Sequence, residues 1–436
     1  MKKYAESGIK NYTHSVDLWM KNSGLIIDCD EKKNALRNLF KNSKVAFIYG
    51  AAGTGKSTMI NYISSLFKDK QKIFLANTNP AVENLRRKVT AEHAEFVTIT
   101  KFLSKDVSND CDILCLDECS TISNRDMVRV LQRAQCKLLV LVGDIYQIES
   151  ILFGNWFNIA YKVMPKDSVA ELTRPHRTTV QGLIEVWNKV REITEDRLEF
   201  ITRNGLSSTL DESIFSRTEE DEIVLCLNYD GIYGINNINK FLQSNNVNPS
   251  INWGVLSYKV GDPVLFNESN RFAPLVYNNL KGKILQIEEE EDCIYFTIEV
   301  YTVLNELDVI GFDLELKESV TDETSVIRFK VGRGGDGNDD NDNVENVVPF
   351  QVAYAISIHK AQGLEYESVK VVITSEIEEM VSHNIFYTAI TRAKSKLKIY
   401  WSPETEKRIL ENMKVQFNDK DYQLFKAKYK EALLKS

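Results

Sequence analysis

Val45-Ala46-Phe47-Ile48-Tyr49-Gly50-Ala51-Ala52-Gly53-Thr54-Gly55-Lys56-Ser57-Thr58 is the stretch that decides the fold. The apolar run Val45–Tyr49 reads as a buried strand, and the glycine-rich turn from Gly50 to Ser57 completes a Walker A loop. Gly50, Gly53 and Gly55 let successive backbone N–H groups, including those around Thr54, curl about phosphates where a Cβ would not fit. Lys56 then reaches the β- and γ-phosphates, and the Ser57 hydroxyl is placed to ligate Mg²⁺. The helix expected from about Lys56 to Phe67, with Thr58 in its first turn, points its positive end at the anion. This pattern predicts a nucleoside triphosphate site.

Working outward, the 436 residues leave room for two to four domains. Apolar and charged fractions are those of ordinary soluble proteins. No apolar run approaches the ~18 residues of a membrane span. Met1–Glu6 carries basic residues with no apolar stretch behind them, so the expected location is the cytoplasm, with no membrane partner. A net charge of -8 argues against a generally DNA-coating surface but leaves room for a local basic channel. The seven cysteines lack paired C-x-x-C spacing. Cys111, Cys115 and Cys119 recur every four residues, but Cys115 lies inside the apolar Ile113–Leu116 run and reads as a small hydrophobe.

Short apolar runs at Val45–Tyr49, Lys72–Ala76, Asp112–Leu116 and Lys137–Val142 alternate with helical patterns at Pro80–Lys88 and Asn124–Arg133. That alternation predicts a parallel, doubly wound α/β domain over 44–168, preceded by a helical segment over 1–43. A second α/β set is expected over 169–250, resuming at 347–403. Between the two parts, 251–331 reads as alternating strands with glycine turns, hence an inserted small β-barrel. The Gly/Asp/Asn-rich stretch 332–346 reads as a disordered loop and 404–436 as two helices.

The strand Ile113–Leu116 ends in Asp117-Glu118, a Walker B pair. Asp117 is expected to hold the Mg²⁺ shell and Glu118 to orient and deprotonate the attacking water. The next strand ends in Gly143-Asp144-Ile145-Tyr146-Gln147, where Gln147 is the candidate sensor of the γ-phosphate.

With Leu172-Thr173-Arg174-Pro175-His176-Arg177, Ser357-Ile358-His359-Lys360-Ala361-Gln362-Gly363-Leu364-Glu365 and Tyr387-Thr388-Ala389-Ile390-Thr391-Arg392-Ala393, these motifs stand in the order found in superfamily 1 helicases. The chain resembles the RecD/Dda group, which moves 5′ to 3′ on single-stranded DNA, from about Val45 to Trp401. The resemblance implies two RecA-like P-loop domains with ATP and Mg²⁺ between them. It implies that Arg177 and Arg392 reach the γ-phosphate from the second domain, and that Gly363 and Glu365 meet the nucleotide, Glu365 at the ribose. It also implies that Thr78, Asn79, Thr100, Ser357 and His359 touch the DNA backbone. Phe102, Trp156, Tyr258 and Phe272 are further candidates for stacking on bases, each also a candidate for the core.

The sequence departs from that group in three places. Asp30-Glu31-Lys32-Lys33-Asn34-Ala35 lacks the adenine-reading glutamine expected upstream of Walker A. Ser104–Asp110 is too short for the hairpin that splits a duplex, and Ile148-Glu149-Ser150 replaces a proline-containing form. The expected activity is an ATP-driven motor on single-stranded DNA, with weak or partner-dependent strand separation. An RNA helicase, or a DNA-sensing ATPase subunit working with a nuclease, remain alternatives.

Overall fold

The computed structural model describes residues 8–434 apart from 24–26, 28, 52, 105–107, 149–153, 175, 177, 268–270, 274, 320, 334–345 and 415–418. Arg177 and most of the expected disordered loop therefore lie outside the described residues. The chain divides into two compact units. One takes in 1–200, 381–395 and 410–436, and the other 201–380 and 396–409.

In the first unit, β1 (Val45–Gly50), β2 (Lys72–Ala76), β3 (Ala94–Thr98), β4 (Asp110–Leu116), β5 (Gln135–Gly143) and β6 (Val169–Leu172) form a six-stranded sheet. Its order is β3-β2-β4-β5-β1-β6, and every pairing is parallel. The apolar runs read from the sequence are strands covered on both faces, as a parallel sheet demands. Successive side chains alternate between two cores. Val45, Phe47, Leu114, Leu116, Leu139 and Leu141 fill one. Ala46, Ile48, Ile113, Cys115, Val140 and Val142 fill the other. Helix starts are fixed locally: Thr78 accepts from the Ala81 N–H at 3.4 Å, and Ser123 from the Asp126 N–H at 3.0 Å. Because all six strands run the same way, the loops after β1, β2, β4 and β5 share one edge.

Two strands differ from expectation. β6 was expected to open the second domain, yet it pairs with β1, Ile48 opposite Ala170 and Gly50 opposite Leu172. The reason is packing, since Ala170 and Leu172 are buried in the core that holds Ala46 and Ile48. β3 was not foreseen, because a half-exposed edge strand of five residues carries little apolar signal.

The second unit has its own five-stranded sheet, of β7 (Ser207–Ser208), β8 (Glu222–Cys226), β17 (Ala355–Ser357), β18 (Tyr366–Val372) and β19 (Ala393–Tyr400). The order is β17-β8-β18-β19-β7, with parallel pairings of β17 to β8, β8 to β18 and β19 to β7. Parallel sheets of six and five strands give the expected α/β class. The segment between β8 and β17 holds a hairpin, β9 (Ser250–Trp253) with β10 (Leu256–Lys259). It also holds an antiparallel sheet of β11 (Pro263–Phe266), β12 (Lys281–Glu289), β13 (Cys293–Val300), β14 (Glu315–Lys317), β15 (Ser325–Gly332) and β16 (Phe350–Val352).

The expected barrel is not confirmed. Among the described residues this sheet is open, in the order β14-β15-β13-β12-β11-β16, ending in strands of three residues at both edges. Its core takes Tyr258 and Phe272, while Phe102 and Trp156 belong to a core of the first sheet. All four aromatics proposed as stacking platforms are buried.

Asp262, wholly buried, ties the insert to the helix Ile235–Ser244. Its carboxylate accepts from Gln243, Asn246, the Lys259 N–H and the Tyr354 hydroxyl at 2.6 to 2.9 Å. Asp262→Ala strands these donors in a dry site. It should lower stability by about 3 kcal/mol in urea unfolding, and a loss below about 1 kcal/mol would show the network to be dispensable.

Candidate nucleotide site

The P-loop leaves β1 at Gly50, where any Cβ would stand 2.3 Å from the Leu172 carbonyl oxygen of β6. Gly55 has φ +86, and the helix Lys56–Leu66 starts directly after it. Lys56 Nζ donates to the carbonyls of Gly50 and Ala51 at 2.8 and 2.9 Å, so its ammonium lies folded over the loop. Thr54 is buried and closes the turn through its hydroxyl to the Ala51 carbonyl at 2.9 Å. Ser57 and Thr58 are partly buried in the first helical turn.

Asp117 follows β4, its N–H bonded to the Leu75 carbonyl at 2.8 Å and its carboxylate accepting from the Glu118 N–H at 2.8 Å. Glu118 has φ 51, in the left-handed region that non-glycine residues seldom occupy. After β5, Asp144 is 2 % exposed, and one of its carboxylate oxygens is buried without a hydrogen-bond partner. Sequence reading passed over Asp144 in favour of Gln147; the signal available was its place at the tip of the strand next to β4.

Burial is the largest influence on all three acids and raises each carboxyl above its ordinary range. The neighbouring Asp117 adds to the effect on Glu118, whose pKa is pushed up to about 7. Lys56 opposes the rise at all three acids, and Arg392 opposes it at Glu118 and Asp144.

Arg392 is buried at 2 % exposure. Its guanidinium donates to the Thr388 carbonyl at 2.9 Å and to the Thr391 hydroxyl at 3.3 Å. It was expected to reach in from the second domain, but 381–395 belongs to the unit that carries the P-loop. The cause is the packing of the helix His383–Ile390. The Ile390 carbonyl accepts from Trp187 Nε1 at 3.0 Å, Thr388 Oγ1 accepts from the Ile148 N–H at 3.1 Å, and Asn384 Nδ2 donates to the Gln147 carbonyl at 2.9 Å. Gln147 is thereby positioned through its backbone, beside the acids.

A divalent cation suits this donor set. Asp117, Ser57 and the orphaned Asp144 oxygen are hard oxygen donors, and the carboxyls that burial raises would be eased by positive charge. Among the described residues no group of three or more His, Cys, Asp or Glu is set to hold a metal. The protein thus offers part of a shell, which the phosphates of a nucleotide would complete.

The remaining candidates are dispersed. Thr78 and Asn79 begin an exposed helix turn after β2, and Thr100 is exposed in the short helix Ile99–Leu103. In the second unit, Ser357 is buried at the end of β17 and accepts from the Lys360 N–H at 3.2 Å, while His359 is exposed. Gly363 turns at φ +78, and the Glu365 carbonyl accepts from Lys281 Nζ at 3.2 Å.

Residues 29–211 match the AAA domain model and 352–400 the UvrD-like helicase C-terminal domain model. An uncharacterized protein of Methanocaldococcus jannaschii is 24% identical over 84% of this chain, which spans 37% of that longer protein. RecBCD enzyme subunit RecD of Buchnera aphidicola is 23% identical over 89% of this chain and 78% of its own length. Among solved structures, Pif1 helicase from Candida albicans matches with a TM-score of 0.56 at 18% identity, covering 92% of this chain and 100% of that one. Bacteroides Pif1 bound to ssDNA matches with a TM-score of 0.52 at 16% identity, covering 94% and 98%. An AAA domain model and a UvrD-like helicase C-terminal domain model in order along one chain, RecD and Pif1 helicases among its relatives, and the Walker pair on one sheet edge are consistent with a superfamily 1 helicase of the RecD/Dda-like group.

Proposed function

We propose that this chain is an ATP-driven motor that moves 5′ to 3′ along single-stranded DNA. The observation that carries the reading is the gathering of Lys56, Asp117, Glu118, Asp144 and Arg392 into one electrostatic group behind the P-loop. In this reading Ser57 and Asp117 would hold Mg²⁺, which when bound would screen the phosphate charge. Glu118 takes the proton of the attacking water, and a carboxyl poised near neutral pH suits a general base. Lys56 and Arg392 stabilise charge on the transferring phosphoryl group, and Gln147 reports on the γ-phosphate to the helix His383–Ile390. Arg177 is assigned the same kind of contact as Arg392, and Gly363 and Glu365 the ribose side. Thr78, Asn79, Thr100, Ser357 and His359 are assigned to the DNA backbone, a positioning role that leaves base sequence unread.

The short segment after Ser104 supports translocation with little unaided strand separation. The RecD relatives, enzyme subunits by name, favour a second reading in which the chain is the single-strand-sensing ATPase of a nuclease complex. Strand displacement on 5′- and 3′-tailed duplexes, run beside ATP hydrolysis on poly-dT and poly-U, tests these readings. The expected result is stimulation by poly-dT and displacement, weak without a partner, from the 5′ tail alone. Stimulation by poly-U alone, or unwinding from the 3′ tail, would overturn the DNA and polarity assignments.

As a base Glu118 works only when ionised, so kcat/KM for MgATP should fall as pH drops through about 7 and level off above it. Glu118→Gln should remove that limb and lower turnover by roughly 10²–10⁴ while still binding ATP. A wild-type profile flat from pH 6 to 8 would rule out this role.

Arg392→Ala should lower kcat by about 10³ or more with nucleotide affinity changed less than about threefold. Equal losses in affinity and turnover would assign Arg392 to structure rather than to the transition state.

A further inference from the structure

Lys32 lies on the helix Asp30–Asn38 and is 5% exposed. Its ammonium reaches the P-loop, so that a Cβ at Gly55 would stand 2.6 Å from Lys32 Nζ and 2.9 Å from its Cε. The glycine at this position therefore leaves space for a lysine as well as for phosphates. Nζ also lies 2.9 Å from His176 Nε2, and the His176 N–H donates to the Gly53 carbonyl at 2.6 Å. One loop is thus met at Gly55 by a lysine and at Gly53 by a histidine that are 144 positions apart in the chain and touch each other.

A buried ammonium is costly unless an anion accompanies it. Among the described residues Lys32 makes no ion pair with a carboxylate, and its partner is an imidazole. Partial burial lowers the His176 pKa, and Lys32 and Arg174 lower it further while Glu31 opposes them. The ring is therefore neutral near pH 7 and accepts from the ammonium. Glu31, the adjacent acid, accepts through one oxygen from the Thr173 N–H and hydroxyl at 2.9 and 2.7 Å, and its other oxygen is buried without a hydrogen-bond partner. Neighbours along a helix do not share a face. No carboxylate of the described residues pairs with Lys32, and the loop its ammonium touches is the one built for phosphates.

We propose that Lys32 is a second phosphate-binding lysine of the nucleotide site, positioned over Gly55 by His176. The inference rests on the P-loop reading above. An ammonium has donors only, so Lys32 suits phosphate oxygens and cannot accept from an adenine amino group, as the missing glutamine would. Its contribution should be indifferent to the base.

The test measures equilibrium affinity for MgATP, MgGTP and inorganic tripolyphosphate, with thermal melts of the ligand-free protein, for the parent, Lys32→Met and Lys56→Ala. Lys32→Met should weaken all three ligands by the same factor, on the order of 10- to 100-fold, as expected for loss of one charge-assisted contact. The ligand-free melt should stay level or rise, because a buried charge has been removed.

Unchanged affinities for Lys32→Met, while Lys56→Ala binds weakly, would overturn the proposal and leave the P-loop reading standing. So would a loss confined to ATP, which would make Lys32 a base contact, or a lowered ligand-free melt with affinity intact, which would make it structural. A parent protein that binds none of the three ligands would overturn the nucleotide reading itself.

Discussion

Asp117, Glu118 and Asp144 are three acids held in a site from which burial would expel their charge, and much of the first unit can be understood as what keeps them there. Desolvation drives each towards its neutral form, and Lys56 opposes that drive at every one of them. Neither influence operates without the parallel sheet. β4 and β5 must run in the same direction for their ends to deliver acids to one place, and β1 must lie beside β5 for the P-loop lysine to arrive there too. The left-handed backbone at Glu118 is the local strain this crowding imposes, of order 1–3 kcal/mol, and the packed strands around it supply the compensation.

Arg392 shows how a distant stretch of sequence is recruited to the same balance. It is the second residue beyond a helix capped by Ser382, whose hydroxyl accepts from the Ile385 N–H at 3.3 Å. That helix is buried over most of its length. Trp187 fixes its C-terminal end, and the Val190 carbonyl meets His383 Nε2 at 2.9 Å near its start. With both ends held, the guanidinium has little freedom. Its charge is brought to Glu118 and Asp144 by that packing, an arrangement that suits preorganised stabilisation of developing charge.

Much of this was legible in the sequence because the signals were local and redundant. An apolar strand followed by a glycine turn, and a second strand ending in two acids, announce both the elements and their chemistry within a few residues. The first sheet, the P-loop and the acids of β4 were read on that basis. The failures share a cause as well. β6 and the segment 381–395 join the first unit through long-range packing that no local pattern encodes. The barrel reading went unconfirmed because alternation reveals antiparallel strands but not whether the last finds the first. Asp144 and Lys32 were passed over because an aspartate in a turn and a lysine on a polar helix look solvated until burial is known.

The antiparallel insert is better understood as part of the second unit's motif than as an accessory to it. Lys281, the first residue of β12, forms an ion pair with Asp221 at 2.6 Å and donates to the Glu365 carbonyl. Its ammonium also lies 4.1 Å from the centre of the Tyr366 ring. Asp221 in turn accepts from the Glu367 N–H at 3.1 Å. The turn carrying Gly363 and Glu365 is thus held from the insert by one lysine and from the parallel sheet by one aspartate, and the two grip each other. Together with Asp262, which binds the base of the insert to the helix after β8, this leaves the insert little freedom to move apart from the motif. The Glu365 carbonyl is tied through Lys281 to the insert and, through the Lys281–Asp221 pair, to the edge of the parallel sheet.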